Sequence, residues 1–280
     1  MRPDSNAPGV IDDGELADAL ARLGDEVARY DHLHVAFSGG ADSAFLARAA
    51  LDSLGPDRVL AVTAVSPSLP VAERAECVDL AADWGLPHLE VETDEMEQIA
   101  YRRNDGDRCF WCKEALMRAV APHAAEVGAT VALGVNLDDL GDHRPGQQAA
   151  AEAGAVFPLV DAGFTKDLVR RASRHLGLRT WDKPAAACLA SRIPYGTSVS
   201  VSVLSRVERA EAALRTLGFH ELRVRHYDDT ARIEVPLDDL PALLAERAAV
   251  VDAVRQVGYR YVTVDLEGLR SGNLNAALGR

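Results

Sequence analysis

Apolar and polar residues follow two successive patterns along the chain. In the first 195 residues, short runs of apolar and often β-branched residues are separated by segments whose apolar residues recur at helical spacing. The short runs predict strands at 34–37, 59–65, 88–91 and 130–134. Strands that alternate with helices of about 10–15 residues are typical of a parallel, doubly wound sheet. The first part of the chain is therefore predicted to be an α/β domain with its ligand at the carboxyl ends of the strands.

The pattern changes after Tyr195. Segments with helical spacing and segments that alternate like strands now occur in the order αββαβ, at 201–217, 221–226, 231–235, 237–257 and 261–266. This order predicts a smaller α+β domain with an antiparallel sheet.

Domain limits follow from these patterns. We predict a disordered lead-in at 1–11, where Asp, Pro and Gly residues occur without an apolar stretch. The α/β domain is placed at 12–195 and the α+β domain at 196–280. The lead-in has no secretory signal and the chain has no run of about 18 uncharged apolar residues, so we expect a cytoplasmic protein without a membrane span.

Charge is unevenly distributed along the chain. The net charge of −13 argues against a protein whose main task is to bind nucleic acid. The segment 183–235, however, carries eight Lys or Arg residues against six acidic ones. This local excess of positive charge predicts an anion site in the C-terminal third.

The segment 38–43 has the sequence Ser-Gly-Gly-Ala-Asp-Ser, directly after a predicted strand and before a predicted helix. Backbone N–H groups and the positive end of the dipole favour a phosphate at a helix start, and paired glycines allow the backbone to wrap an anion. The alternative is a turn that ends the strand and binds no ligand. The motif resembles the loop of the PP-loop ATP pyrophosphatases, which implies that ATP and its pyrophosphate bind at Ser38, Gly39, Gly40, Asp42 and Ser43.

Four cysteines carry further candidate chemistry: Cys77, Cys109, Cys112 and Cys188. In a cytosolic protein such residues bind metals or react more often than they form disulfides. Cys77 lies in a predicted amphipathic helix and is expected in the core. Cys188 lies between Pro184 and a Ser-Arg pair, close to cations, and is expected to be reactive as a thiolate.

The segment around Cys188, KPAAACLASRIPYG at 183–196, makes a more specific resemblance. It is similar to the signature of LarE-type ATP-dependent sulfur transferases, which act in nickel-pincer cofactor synthesis. Further matching segments lie at 134–139, 142–146, 162–166, 262–268 and 270–272. The resemblance implies a homo-oligomeric enzyme that uses ATP and Mg²⁺ to adenylate a pyridinium-3,5-dicarboxylate mononucleotide and to convert it to a thiocarboxylate. It also implies that the C-terminal domain binds substrate and contributes to oligomerisation.

Two sources of sulfur stay open. In the first, Cys188 attacks the acyl-adenylate and the resulting thioester is cleaved by elimination, with Glu211 as a candidate base. In the second, Cys109, Cys112 and Cys188 hold a [4Fe–4S] cluster that carries an extra sulfide. A zinc site completed by His143 or His175, or simple packing of the two C-x-x-C thiols, are further alternatives.

Arg223 and Arg225 alternate along a predicted strand and therefore point to one face. Two guanidinium groups on one face suit a phosphate, whereas the alternative is a solvated face paired with Glu221 and Asp228. The resemblance implies that both arginines, with Ser191 and Arg192, hold the phosphate of the substrate. It also matches Glu234 and Arg270 to family positions, to which we assign no task.

Other ligand contacts and other functions are predicted less directly. The loop at 64–69 is expected to contact adenine from its place in the fold, and Arg108 and Lys113 to contact the triphosphate. Competing functions for the same loop are a PP-loop tRNA thiolase, an ammonia-dependent amidotransferase and a nucleotide-sensing module. The tRNA thiolase requires a basic surface, which the overall charge disfavours.

Overall fold

Four parallel strands form the sheet of the N-terminal part. The computed structural model describes residues 13–141, 145–184 and 187–270, so the predicted lead-in lies outside the described residues. The strands are β1 (Leu33–Ala36), β2 (Val59–Val65), β3 (His88–Glu92) and β4 (Thr130–Leu133). Their order is β3-β2-β1-β4 and each neighbouring pair is parallel. The predicted doubly wound α/β fold is thereby confirmed.

Helices cover both faces of this sheet, which explains why its strands read as continuous apolar runs. One buried cluster includes Leu23, Phe45 and Phe164, and a second includes Val120 and Leu133. The helices described in this part are α1 (Asp13–Val27), which precedes β1, and α2 (Ala41–Leu54), α3 (Val71–Trp84), α4 (Ile99–Arg103), α5 (Arg108–Val127), α6 (Pro145–Glu152), α7 (Pro158–Asp161) and α8 (Lys166–His175). None of the helices in the described ranges is long and apolar enough to cross a membrane.

The C-terminal part has a second, three-stranded sheet with its own apolar cluster. Its elements are α9 (Val201–Thr216), β5 (Arg223–Tyr227), β6 (Thr230–Glu234), α10 (Leu240–Ala245), α11 (Arg247–Gln256) and β7 (Tyr261–Val264). β5 and β6 form the predicted antiparallel hairpin, but β7 pairs parallel to β6. The prediction of a wholly antiparallel sheet was wrong, because α10 and α11 carry the chain back across the sheet before β7 begins.

A short segment connects the two parts and buries apolar residues of its own. The 3-10 helix Leu189–Arg192 follows Cys188, and Ile193 and Val199 pack with Tyr101 and Leu204. Tyr101 belongs to the α/β part and Leu204 to α9, so this cluster joins both predicted domains. The boundary near Tyr195 stays a prediction.

Candidate active site

The loop between β1 and α2 closes on itself. Gly39 has φ +65°, and a Cβ atom there would lie 3.1 Å from the sulfur of Cys77, so only glycine fits without strain. Ser43 Oγ accepts a hydrogen bond from Ser38 N at 3.2 Å and donates one to the carbonyl of Gly40 at 3.2 Å. The loop thus leads directly into the 14-residue helix α2. The N–H groups in the first turn of a helix have no acceptor within the helix. This arrangement suits a phosphate group.

Gly134 fixes the loop from the neighbouring strand. It follows β4, and a Cβ atom there would lie 2.7 Å from Ser43 N and 2.8 Å from the carbonyl carbon of Asp42. Both are backbone atoms of the first turn of α2, which cannot rotate away as a side chain can. The carboxyl end of β4 therefore packs directly against the start of α2.

Replacing Gly134 with alanine is expected to weaken ATP binding, because the added methyl group must displace the backbone at Asp42 and Ser43. Overpacking of this kind costs about 1–3 kcal/mol, and calorimetric titration with a non-hydrolysable ATP analogue measures the effect. Gly24→Ala is the matched control, since it lies within α1 with its nearest outside contact at 3.7 Å. Equal affinities of the two variants would contradict the close packing.

Asn136 and Lys166, for which the sequence predicted no task, both contact Asp42 of the loop. Asp42 accepts a hydrogen bond from Asn136 Nδ2 at 3.1 Å and forms an ion pair with Lys166 Nζ. The backbone N–H of Lys166 donates to Asp138 Oδ2 at 2.6 Å. Asn136 and Lys166 lie in the segments 134–139 and 162–166, which belong to the family resemblance. The sequence does not show that these segments meet at Asp42, whereas the structure does.

Lys183 joins this loop to the cysteine-bearing segment. Its Nζ donates to the carbonyl of Gly39 at 3.1 Å and to Glu73 Oε2 at 2.8 Å. Lys183 is the first residue of the 183–196 motif and lies five positions before Cys188. This contact places the start of the Cys188 segment beside the loop at 38–43.

Cys188 is half-buried at the start of the 3-10 helix Leu189–Arg192. The N–H of Leu189 donates to the carbonyl of Ser68 at 2.9 Å, and Ser68 Oγ lies 2.6 Å from Tyr101 Oη. Ser68 belongs to the loop at 64–69 that we expect to contact adenine, so Cys188 lies beside that loop.

The C-x-x-C cysteines, Cys109 and Cys112, lie in the first turns of α5. Cys109 is exposed, whereas Cys112 packs with Cys188 against the Tyr101 cluster, and burial raises the pKa of the Cys112 thiol to about 12. Within the described ranges, no three His, Cys, Asp or Glu side chains are grouped so that they could hold a metal ion. The [4Fe–4S] cluster and the zinc site stay predictions. His143 lies outside the described residues.

Arg108 and Asn104 hold the Cys188 segment against the start of α5. Arg108 is buried, and its Nη1 donates to Asn104 Oδ1 and to the carbonyl of Ala190, the latter at 2.8 Å. Asn104 Nδ2 in turn lies within hydrogen-bonding distance of the carbonyls of Pro194 and Thr197, at 2.8 and 2.9 Å. This position does not support the expected contact of Arg108 with the triphosphate. The expected contact of Lys113 stays a prediction.

Arg192 and Arg225 form buried ion pairs. Arg192 Nε lies 2.8 Å from Glu211 Oε1, and Arg225 Nε lies 2.9 Å from Glu234 Oε2. Arg225 does not pair with Glu221 or Asp228, as the solvated-face alternative expected, because Glu234, which lies opposite Arg223 on β6, pairs with it diagonally across the hairpin. Glu234 thereby has a task, which is to neutralise a buried cation.

The carboxylate of Glu211 is fully engaged. Besides Arg192, it accepts hydrogen bonds from Arg215 Nη2 and from Val224 N, each at 3.1 Å. Together with the two hydrogen bonds from Arg192, these donors engage both oxygens of the carboxylate. Its placement favours a task in orienting Arg192 over the predicted task as a base.

Arg223 differs from Arg192 and Arg225 in its ion pairing. It is half-buried, its Nη1 donates to the carbonyl of Arg270 at 3.1 Å, and it has no carboxylate partner in the part of the chain that the structure describes. Burial, together with the charges of Arg192 and Arg225, lowers the pKa of Arg223. Of the predicted phosphate ligands, Arg223 is therefore the one whose charge an incoming anion would compensate.

Comparison with known proteins supplies relatives along nearly the whole chain. No family model matches. The chain is 42% identical over 267 residues to an uncharacterised protein of Synechocystis sp., covering 94% of this chain and 99% of the relative. It is 36% identical over 264 residues to the pyridinium-3,5-bisthiocarboxylic acid mononucleotide synthase of Lactiplantibacillus plantarum, covering 94% and 96% respectively. A third relative, an uncharacterised protein of Methanocaldococcus jannaschii, is 28% identical over 170 residues, covering 60% of this chain and 66% of the relative.

Proposed function

Because this chain belongs to the LarE-type sulfur transferase family, we propose that it is an ATP-dependent sulfurtransferase whose sulfur donor is Cys188. Its substrate is a pyridinium-3,5-dicarboxylate mononucleotide, and its products are the thiocarboxylate, AMP and pyrophosphate. The observation that carries the proposal is the hydrogen bond from Lys183 Nζ to the carbonyl of Gly39, which joins the loop at 38–43 to the segment of Cys188. A phosphate-binding loop and a thiol held at one site are what adenylation followed by thiolate attack requires.

In the first step, a carboxylate oxygen of the substrate attacks the α-phosphorus of ATP and pyrophosphate leaves. The loop backbone holds the leaving pyrophosphate, and Lys166 and Lys183 neutralise the charge that develops on it. Asp42 and Asp138, both joined to Lys166, are the carboxylates that would hold Mg²⁺, which takes oxygen ligands and is often bound by one or two carboxylates plus phosphates. Bound Mg²⁺ supplies further neutralisation of the phosphates.

In the second step, the Cys188 thiolate attacks the acyl carbon and AMP leaves, which gives a thioester between protein and substrate. Loss of the Cα proton of Cys188 then breaks its Cβ–S bond. The thiocarboxylate leaves with the electron pair of that bond, and dehydroalanine remains at position 188. One protein molecule is consumed for each sulfur atom transferred.

The substrate phosphate binds at Arg223, whose charge lacks a carboxylate partner in the described ranges. Arg192 and Arg225 contribute indirectly, since each is already neutralised by a buried glutamate. Arg270 presents its carbonyl to Arg223 and orients that side chain. The homo-oligomeric state and the cytoplasmic location stay predictions.

Intact mass after turnover tests the proposal. Incubation with ATP and the mononucleotide is expected to release one AMP and one thiocarboxylate for each protein molecule. The protein should lose the elements of hydrogen sulfide, and peptide mapping should place the loss at Cys188. Many turnovers at unchanged mass would overturn the sacrificial mechanism and favour sulfur delivery from a cluster.

A further inference from the structure

The carbonyl group of Cys188 accepts two hydrogen bonds that have no part in adenylation or in thiolate attack. Ser191 N donates to it at 2.9 Å, and Arg192 Nη1 approaches it at 3.4 Å. The same Arg192 nitrogen also donates to the carbonyl of Ala187 at 2.6 Å. A backbone N–H and a guanidinium group therefore meet at the oxygen of the residue that carries the sulfur.

The surroundings of this carbonyl are positively charged. Arg108 donates to the carbonyl of Ala190 at 2.8 Å, and Arg225 donates to that of Ser191 at 2.7 Å. Arg225 has Glu234 as its counter-charge, but the hydrogen-bond partners of buried Arg108 are neutral oxygens, and none of the described residues gives it a carboxylate. The turn that contains Cys188 thus carries an excess of buried positive charge.

An oxygen in this position acquires negative charge in only one step of the reaction. Removal of the Cα proton of Cys188 places an electron pair on Cα, and the adjacent carbonyl of the same residue takes it up as an enolate. Expulsion of the sulfur from Cβ then turns the electron pair into the Cα=Cβ double bond and restores the carbonyl. Hydrogen-bond donors directed at a developing oxyanion are typically worth a factor of about 10²–10³ in rate.

We propose that Ser191 N–H and the Arg192 guanidinium form an oxyanion hole for the backbone carbonyl of Cys188, and so promote the elimination that releases sulfur. This inference rests on the proposed function, because only a sacrificial cysteine requires the step. Hydroxide from solvent takes the proton, since Cys188 is half-buried and the carboxylate of Glu211 is engaged elsewhere. Glu211 is then a positioning residue that holds Arg192 through its Nε and Nη2.

The elimination can be measured without ATP or the nucleotide substrate. A 2,5-dibromohexanediamide reagent alkylates a thiol twice to give a cyclic sulfonium, which base eliminates to dehydroalanine and a tetrahydrothiophene. We would use Cys109→Ser/Cys112→Ser to follow Cys188, and Cys112→Ser/Cys188→Ser to follow the exposed Cys109. Intact mass and peptide mapping separate alkylation from the later loss of sulfur.

The Cys188 sulfonium is expected to eliminate at least about tenfold faster than the Cys109 sulfonium at the same pH. Adding Arg192→Met and Glu211→Gln, which removes both buried charges together, should lower the Cys188 rate severalfold, and the Ser191 N–H that remains should account for the residual enhancement. Glu211→Gln alone retains the guanidinium and should keep most of the enhancement. Equal rates at Cys188 and Cys109 in the two cysteine backgrounds overturn the inference, and this comparison remains decisive even if the double variant does not fold.

The outcomes separate the inference from the proposed function. If no thioester or AMP forms with substrate and ATP, the proposed function fails whatever the sulfonium rates are. If the thioester forms but Arg192→Met/Glu211→Gln converts it to dehydroalanine at the unsubstituted rate, the function stands and the oxyanion hole is refuted. Accumulation of the thioester in that variant, at a mononucleotide concentration that saturates its ATP–pyrophosphate exchange, is the expected result.

Discussion

Replacing Cys188 with alanine is expected to abolish sulfur transfer and to leave substrate-dependent ATP–pyrophosphate exchange intact. The exchange requires the loop at 38–43 and its cations, none of which bonds to the Cys188 side chain. The variant should therefore accumulate the acyl-adenylate, and trapping with hydroxylamine would measure it. The difference between the two activities is the largest effect that we expect from any single substitution.

Cys109→Ala is the matched control for that experiment. Cys109 is exposed and has no task when Cys188 itself supplies the sulfur. The control should therefore transfer one sulfur per chain, as the unsubstituted protein does. Loss of transfer in Cys109→Ala would contradict the sacrificial mechanism, and ammonia-dependent formation of an amide with release of AMP by Cys188→Ala would favour an amidotransferase.

Replacing Arg225 with alanine is expected to destabilise the fold by about 3 kcal/mol, because Glu234 loses its buried partner and keeps only the half-buried Arg232. Arg225 is 3% exposed and Glu234 is 0% exposed, so water cannot replace the lost ion pair. The substitution also removes the hydrogen bond to the carbonyl of Ser191. Urea denaturation measures the loss in the free energy of unfolding.

Arg223→Ala supplies the contrast, since Arg223 lies two positions away on the same strand but is only half-buried. It has no described carboxylate partner, so its removal should change the free energy of unfolding little and raise KM for the mononucleotide far more than KM for ATP. Similar losses of stability in Arg223→Ala and Arg225→Ala would contradict the division of tasks between them. Unchanged KM for the mononucleotide in Arg223→Ala would remove the phosphate site from β5.

Local sequence patterns were enough to predict the parallel sheet and the Ser-Gly-Gly turn between β1 and α2. A buried strand, a Ser-Gly-Gly turn and a following helix are adjacent in the chain, and their geometry depends on residues a few positions apart. The direction of β7 was not predictable in this way. It depends on how α10 and α11, which lie between β6 and β7 in the sequence, return the chain across the sheet.

The charged contacts of the site could not be predicted from local sequence patterns either. Lys166 and Asp42 are 124 positions apart and Lys183 and Gly39 are 144 apart, so no spacing rule connects them. The spacing of Arg223 and Arg225 on β5 predicts that both lie on one face of the strand. It does not show which of the two has a carboxylate partner. That depends on the antiparallel register, which places Glu234 within reach of Arg225.

The sequence by itself determined the α/β class, the place of the phosphate loop and the thiol at position 188, because each is encoded in a contiguous motif. Only the tertiary structure decided how these parts act together. It brought Lys183 to the loop, surrounded the Cys188 turn with three guanidinium groups and engaged Glu211 with Arg192. The physical reason is that buried charges must find partners, and those partners come from whatever elements the fold places beside them.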